Sequence, residues 1–231
     1  MDTAAVVQWF SDVFGSFDFN ILQFYANLHE GALGKLFDTF FLIYTHLGDD
    51  GILFIILGLI FLLFKKTRKV GAGMLIGIAV GAIFTNVTIK PLIERPRPFE
   101  LFEYTTDPNA LLFKEWWTNL GEVHASSMRS FPSGHTTSAV AALVPVFMFC
   151  DKKKSWLALV AAVLMGASRN YVQVHYPSDV LGGIIIGLIA GLIAFFVVSL
   201  AMKKFAESKN IKANKVVTFD LLETIKAKKA K

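Results

Sequence analysis

The chain has 231 residues, of which 54% are hydrophobic, and its formal net charge at pH 7 is +5. A chain this apolar is typical of an integral membrane protein and excludes an ordinary soluble domain. Its single cysteine, Cys150, excludes an intrachain disulfide. The first residues, Met-Asp-Thr-Ala-Ala, lack the basic segment that opens a standard signal peptide.

Residues 4–28 predict a helix that lies along the membrane surface. Apolar side chains recur there at helical spacing, and Asp12, Asp18 and Glu30 interrupt them. Such an interrupted apolar face is typical of an interfacial helix rather than a spanning one. The alternative is that the same face packs against the rest of the protein. We therefore treat residues 1–32 as an N-terminal interfacial helical segment.

The apolar segments that follow predict an all-α, polytopic membrane protein with a six-helix transmembrane bundle over residues 33–204. They are approximately Leu33–Leu47, Gly51–Phe64, Val70–Ile89, Thr136–Cys150, Ser155–Ala167 and Val180–Met202. The third and sixth reach the roughly 20 residues that cross a bilayer comfortably. The second and fifth are shorter, and lysines beside them could reach the headgroups and extend the span. The alternative is that two of the segments are buried or re-entrant.

Basic residues between the segments predict the orientation. They follow the second, fourth and sixth segments, at Lys65–Lys69, Lys152–Lys154 and Lys203–Lys204. All of them fall on one side of a six-span path, which the positive-inside rule places in the cytoplasm. The connections that carry the polar motifs fall on the other side. We expect a multi-pass protein of the cell membrane with an extracytoplasmic active-site loop region and a basic cytoplasmic tail over residues 205–231.

Glycines recur every four residues on two of the segments. They are Gly73, Gly77 and Gly81 in the third segment, and Gly183, Gly187 and Gly191 in the sixth. This spacing places each set on one helix face and lets backbones approach closely in lipid. We expect the two faces to pack within one chain, and a homodimer is the alternative because the same pattern serves both.

The turn between the fifth and sixth segments gathers residues suited to phosphoryl chemistry. It spans Ser168–Asp179. His175 can take and give protons near neutral pH, and Asp179 lies four residues on, where side chains meet across a helical turn. Arg169 offers a fork of donors that matches a phosphate. The alternative is an arginine–aspartate ion pair beside a surface histidine.

More cations lie at the outer end of the third segment. Lys90 ends that helix, and prolines then hold Arg95 and Arg97 on an extended strand. Cations on the outer side run against the positive-inside trend, so they indicate a pocket for a multiply charged phosphate, with a lipid-headgroup contact as the alternative. The aromatic connection 99–130 is expected to form a lid or interfacial helix beside this pocket, or a simple membrane anchor.

The fourth segment opens with Ser130-Phe131-Pro132-Ser133-Gly134-His135. A glycine beside a serine at a helix start lets backbone N–H groups converge on an anion. Ser133 could instead be an ordinary N-cap. His135 follows at once, where it could donate a proton to a leaving oxygen.

These residues together resemble the three signature motifs of the type-2 phosphatidic acid phosphatase superfamily. The motifs are Lys90, six residues and Arg97-Pro98; Pro132-Ser133-Gly134-His135; and Ser168-Arg169, five residues, His175, three residues and Asp179. They are similar to the family pattern in order, in spacing and in predicted side of the membrane. The resemblance extends over roughly residues 33–203.

The resemblance implies a role for each motif residue. His175 would be the nucleophile that forms a covalent phosphohistidine, and Asp179 would orient its ring. His135 would protonate the departing group and then activate water. The remaining residues would hold the phosphate oxygens: Lys90, Arg97, Ser133, Gly134 and Arg169.

The resemblance also implies a metal-independent lipid phosphatase that needs no cofactor. The expected partners are the bilayer and a lipid phosphate, without nucleic acid. Undecaprenyl pyrophosphate is the first expectation, because a diphosphate could use Arg95 as a second-phosphate contact, although a structural role suits Arg95 equally. Phosphatidylglycerol phosphate or phosphatidate is the alternative. A lipid or phosphate transporter is an alternative of another class, and it would need the cations but no paired His175 and Asp179.

Overall fold

In the computed structural model of the chain, the described residues are 3–102, 108–125, 129–207, 219–221 and 223–225. The regular elements among them are all helical, which confirms the all-α prediction. The helices are α1 (Thr3–Glu30), α2 (Gly34–His46), α3 (Ile52–Leu62), α4 (Arg68–Ala82), α5 (Lys90–Ile93), α6 (Pro98–Phe102), α7 (Pro108–Asn119), α8 (Gly134–Phe149), α9 (Lys152–Tyr171) and α10 (Pro177–Glu207). A 3₁₀ turn, Asp49–Gly51, precedes α3, and a π-helical stretch, Ile83–Ile89, joins α4 to α5.

Helix α8 forms the centre of the bundle, with α4, α9 and α10 packed around it. Small side chains on α8 permit this, since Ala139, Ala141 and Ala142 are fully buried. The glycine faces of α4 and α10 meet α8 so closely that a Cβ at Gly77 would lie 2.2 Å from the Ala141 carbonyl oxygen. A Cβ at Gly187 would lie 2.6 Å from the Val140 Cβ. Both glycine faces are therefore used for packing within one chain.

Two helical runs, Arg68–Glu100 and Pro177–Glu207, are long and apolar enough to cross a membrane. Helices α2 and α3 meet the same test only as a pair, bent by 45°. The sequence predicts two separate spans there, whereas neither helix passes this test by itself, and the chain bends by 45° between them. The reason lies in the turn between them, where Asp50 and Gly51 adopt left-handed backbone conformations, with φ of 49° and 68°. The protein is a multi-pass membrane protein.

Helix α1 packs against the bundle through one face. Its Phe10, Leu22 and Ala26 side chains are buried, and it contacts α2, α7, α9 and α10. The contacts with α9 and α10 lie at the ends of those helices, at Tyr171 and Ser178. This is the alternative that the sequence left open for the N-terminal segment. The opposite face of α1 exposes large apolar side chains: Trp9, Val13, Phe17 and Phe24.

The aromatic connection forms a helix that packs beneath α1. Trp116 and Trp117 of α7 are buried in a cluster that includes Tyr171 at the end of α9. The ring of Trp117 stacks on Phe99 with 5.4 Å between centroids. These two tryptophans are therefore core side chains.

The bundle has a basic end and a motif end. The turns from α3 to α4 and from α8 to α9, and the end of α10, carry the basic stretches. The described part of the C-terminal tail lies against the same end, because Asp220 accepts a hydrogen bond from the Lys65 amide at 2.9 Å. The rest of the basic tail lies outside the described residues. The start of α8, the end of α9 and the start of α10 lie at the other end, with all the predicted site residues.

Candidate active site

His175 lies on the turn between α9 and α10, with only 2% of its surface exposed. The turn is held by Asn170, whose side-chain amide donates to the His175 carbonyl oxygen at 3.0 Å. On the ring, Nε2 lies 3.1 Å from Nη1 of Arg97. A guanidinium can only donate, so Nε2 must be the accepting nitrogen and the neutral ring carries its proton on Nδ1. The accepting lone pair of His175 therefore points to Arg97.

Asp179 sits behind the ring, in the first turn of α10, and is fully buried. Its Oδ2 lies 3.5 Å from His175 Nδ1, and accepts hydrogen bonds from the Ser130 hydroxyl and, at 2.8 Å, from the Tyr176 amide. Its Oδ1 accepts from Arg95 at 2.7 Å. Because so many donors face it, the carboxylate is fixed in place and can orient the imidazole of His175.

The environment of His175 keeps it neutral. Burial lowers the pKa of the imidazole well below its usual 6.5, and the positive charges of Arg97, Arg169 and Lys90 lower that pKa further. A neutral imidazole retains the lone pair that a nucleophile needs. His175 is therefore a neutral imidazole with an accepting nitrogen, which is the state that a nucleophile requires.

The predicted cations converge on this ring from separate elements. Lys90 begins α5, Arg97 precedes α6 and Arg169 belongs to the last turn of α9, and all three are buried. Arg97 Nη1 also donates to the Val174 carbonyl at 2.5 Å, and Arg169 Nη1 donates to the Thr45 hydroxyl at 2.6 Å. Buried cations held beside a nucleophile are suited to bind the oxygens of a phosphate.

The start of α8 brings the second motif to the same place. The Ser133 hydroxyl accepts from the Thr136 amide at 3.4 Å, so this side chain is the N-cap of α8, as the sequence allowed. The Ser133 amide donates to the Asp179 carbonyl at 3.0 Å, which ties the second motif to the third. Gly134 faces the cations, since a Cβ there would lie 3.9 Å from Lys90 Nζ.

His135 has a carboxylate partner of its own. Its Nε2 lies 3.0 Å from Oδ1 of Asp49, in the turn before α3. The other carboxylate oxygen of Asp49 lies 3.0 Å from Nδ1 of the exposed His46. Each of the two motif histidines thus has an aspartate beside its ring.

The guanidinium of Arg95 is buried and bound by other side chains of the protein. Its guanidinium binds Asp179, Asp18 at 2.9 Å and the Ser178 hydroxyl at 2.8 Å. It also lies between two aromatic rings, 4.0 Å from the centroid of Phe10 and 3.8 Å from that of Tyr176. These contacts favour the structural role for Arg95 over the second-phosphate contact that the sequence also allowed.

Sequence reasoning missed Asp18, Asp49 and Ser130. Asp49 carried a weak signal, because the polar run Gly48-Asp49-Asp50 falls on the same side as the motifs. Asp18 interrupts an apolar helix face, which indicates a buried partner but does not identify it. Ser130 gave no signal beyond its place just before the second motif. Among the described residues, no group of three or more His, Cys, Asp or Glu side chains could hold a metal ion.

Comparison with known proteins identifies the family of this chain. The sequence profile of the PAP2 superfamily matches residues 70–203, more than half of the chain, and the protein belongs to this superfamily. The chain is 29% identical to an undecaprenyl-diphosphatase from Sulfolobus acidocaldarius over 128 residues, which cover 54% of each protein. It is 34% identical to phosphatidylglycerophosphatase B from Bacillus subtilis over 159 residues, covering 63% of this chain and 67% of that enzyme.

A solved structure is similar over most of the chain. It is the PAP2-type phosphatidylglycerolphosphate phosphatase from Bacillus subtilis, with a TM-score of 0.54 and 29% sequence identity. The match covers 90% of this chain and 98% of that one. The chain spans about half the length of the Sulfolobus relative, at 54%.

Proposed function

We propose that this protein is a membrane lipid phosphatase that hydrolyses a phosphate or diphosphate monoester through a phosphohistidine. The observation that carries the proposal is the buried, neutral His175, whose accepting Nε2 faces Arg97 while Asp179 lies behind Nδ1. A transporter would use the cations but would not need this pair. The single arrangement of nucleophile, orienting carboxylate and anion holders favours catalysis.

In the first step, His175 Nε2 attacks the phosphorus while Lys90, Arg97 and Arg169 hold the non-bridging oxygens. The bond from phosphorus to the leaving oxygen breaks, and His135 donates a proton to that oxygen. Burial and the positive charge of Arg169 lower the pKa of His135 to about 4 in the substrate-free protein, so His135 takes up this proton together with the anionic substrate. The product is a phosphohistidine and a free lipid alcohol or phosphate. Asp179 stabilises the positive charge that develops on the imidazole of His175.

In the second step, His135, now neutral, accepts a proton from water as the water oxygen attacks phosphorus. The bond from phosphorus to Nε2 breaks, its electron pair returns to His175, and inorganic phosphate leaves. His135 is again protonated, so both histidines return to the states that they had with substrate bound. The buried Nε of Arg169 has no hydrogen-bond partner among the described residues, and a bound phosphate oxygen would give it one.

The substrate class follows from the membrane setting and from the relatives. Undecaprenyl pyrophosphate is the first candidate, since the Sulfolobus relative bears that activity in its name. Phosphatidylglycerol phosphate is the second, because one Bacillus subtilis relative and a solved structure from the same organism are named for it, and that structure is similar over 90% of this chain. The contacts of Arg95 do not help to choose between them, because they engage Asp18 and Asp179.

We place the motif end of the bundle at the extracytoplasmic face and the basic end in the cytoplasm, because lysines concentrate at cytoplasmic ends. Helix α1 then lies at the outer interface, with Trp9 and Phe24 on its exposed face. A lipid phosphate of the outer leaflet would reach the site from the side of the bilayer.

The test is phosphate release by purified protein in detergent from polyprenyl diphosphate, phosphatidylglycerol phosphate and phosphatidate. We expect turnover of at least one of them and loss of activity by about 10³-fold or more in His175→Gln. The matched control is His124→Gln, an exposed histidine that contacts the Phe99 and Trp117 rings. Release at the parent rate by His175→Gln, or release from none of the three substrates by the parent, would contradict the proposal.

A further inference from the structure

Helix α1 lies outside the residues that match the superfamily, yet its Asp18 carboxylate lies next to the proposed active site. Asp18 is only 5% exposed. Its Oδ1 accepts from the Ser178 amide at 2.7 Å, and its Oδ2 accepts from the Ser178 hydroxyl at 2.7 Å and from Arg95 Nη2 at 2.9 Å. All of these donors belong to the irregular segment before α6 or to the first turn of α10.

The partners of Asp18 lead directly to the proposed orienting carboxylate. Arg95 binds Asp18 with Nη2 and Asp179 with Nη1, so one guanidinium bridges the two carboxylates. The rings of Phe10 and Tyr176 cover both faces of that guanidinium, and Phe10 also belongs to α1. A planar group covered on both faces and bonded at its edge has little freedom to move.

We propose that Asp18 is a positioning residue: it holds Arg95 and Ser178 so that Asp179 stays aligned behind His175. The inference rests on the proposed function, because its consequence is a slower attack by His175. Without the Asp18 carboxylate, Arg95 Nη2 faces no anion at this site and the first turn of α10 loses the partner of its Ser178 amide. The contact between Asp179 and His175, 3.5 Å in this structure, is then no longer held to one geometry.

The experiment compares Asp18→Asn with Asp12→Asn. Asparagine removes the charge that binds Arg95 but keeps an oxygen that can accept from the Ser178 amide. Because that hydrogen bond is kept, we expect the variant to fold. Asp12 lies on the same helix, is exposed and accepts a hydrogen bond only from the neighbouring Gln8 at 2.8 Å among the contacts of the described residues. Phosphohistidine formation is followed as a pre-steady-state burst, with a radiolabelled lipid phosphate in excess over enzyme, so that the amplitude counts the active enzyme.

A positioning role and a structural role give different results. We expect Asp18→Asn to lower the rate constant of phosphohistidine formation by about tenfold to a hundredfold with the amplitude kept, because small misplacements of reacting groups cost this much. Asp12→Asn should stay within about twofold of the parent. A variant that is only partly folded would lose amplitude and keep the rate constant, and that result overturns the inference.

Ser178→Ala provides a second test if Asp18→Asn does not fold, because it removes only the hydroxyl that joins Asp18 and Arg95. We expect a smaller decrease of the rate constant, by about threefold to tenfold. An unchanged rate constant in the folded variants, with an active parent, overturns this inference alone. A parent protein that forms no phosphohistidine overturns the proposed function, and this inference with it.

Discussion

At His175, burial and neighbouring charge act on the imidazole in the same direction, since both disfavour the protonated ring. Asp179 opposes them, yet its own oxygens are shared with Ser130, Tyr176 and Arg95. Asp179 therefore affects the orientation of the imidazole more than the basicity of the imidazole. This suits a nucleophile, whose ring must be unprotonated before substrate binds and must carry positive charge only afterwards.

The lowered pKa of His175 predicts how stability depends on pH. In the unfolded chain this histidine binds a proton below its usual pKa of about 6.5, whereas in the folded protein it stays neutral to a much lower pH. The free energy of unfolding should therefore fall as pH falls below about 6.5, by up to about 1.4 kcal/mol per pH unit from this group. Thermal unfolding in detergent at pH 7.5 and pH 5 measures the slope.

The variant His175→Gln serves as the comparison, because glutamine does not titrate. Its stability should decline less steeply than that of the parent between the same two pH values. Equal slopes in the two proteins would show that His175 is not held neutral by the fold.

Asp49 lies outside the three motifs, yet its contact with His135 predicts that it affects catalysis. Its carboxylate lies 3.0 Å from His135 Nε2 but is half-exposed, so the pair is screened by water. We expect Asp49→Asn to lower kcat about two- to fivefold with little change in KM, because pairs of this exposure contribute about 0.2–1 kcal/mol. The neighbouring Asp50→Asn is the control, since asparagine also accepts the left-handed backbone that Asp50 adopts.

An equal loss of kcat in Asp49→Asn and Asp50→Asn would contradict this prediction, because it would indicate a general effect of changes in the turn. Steady-state phosphate release at several substrate concentrations separates kcat from KM. If Asp49 orients His135 only, the loss should persist across all lipid phosphates that the protein hydrolyses.

The chemistry-bearing residues of the motifs were predictable from the sequence because their spacing within each motif is local. His175 and Asp179 are four residues apart, and Ser133, Gly134 and His135 are contiguous. The role of Arg95 was not predictable from the sequence, because it depends on Asp18. That residue lies 77 positions earlier, on a helix outside the motifs. Pairing over such a separation is set by tertiary packing, and a single sequence holds no local signal of it.

At the level of helices, the spacing of glycines predicted which faces of α4 and α10 would be buried, and packing against α8 agrees. The bend between α2 and α3 was not predicted from the sequence. An apolar run indicates how long a helix is, but it does not indicate the angle between one helix and the next. Only the left-handed backbone at Asp50 and Gly51 sets that angle, and aspartate is not a strong signal for it.

The close approach of α4 to α8 predicts that Gly77→Ala is destabilising. The new Cβ would lie 2.2 Å from the Ala141 carbonyl oxygen, a backbone atom that cannot move without shifting α8. Overpacking of this kind costs about 1–3 kcal/mol, against a gain in helix propensity of about 1 kcal/mol. We expect a lower midpoint of thermal unfolding in detergent.

Gly15→Ala is the matched control on α1. Its Cβ would meet only the Ser11 hydroxyl oxygen at 3.6 Å, an ordinary contact, so the helix propensity gain should dominate. The comparison is decisive because both changes add the same methyl group to a helix. A midpoint for Gly77→Ala at or above that of Gly15→Ala would show that α4 and α8 do not approach as described.

For the whole molecule, the separation of a basic end from a motif end is the feature that links fold to function. The basic stretches predicted this arrangement from the sequence, since they recur after every second apolar segment. A phosphatase of outer-leaflet lipids must hold His175 outside, and the lysines at the other end then face the negative surface potential of the cytoplasmic leaflet. Orientation is therefore a property on which the proposed substrate class depends.

The single cysteine allows a direct test of that orientation. Cys150 is exposed at the end of α8, beside Lys152, so it should lie in the cytoplasm. We expect a membrane-impermeant maleimide to label it only after the cells are permeabilised. Glu115→Cys in a Cys150→Ser background places an exposed thiol on α7, at the motif end, and should be labelled in intact cells. Labelling of Cys150 from outside, with Glu115→Cys protected, would place His175 in the cytoplasm and make an inner-leaflet lipid phosphate the substrate.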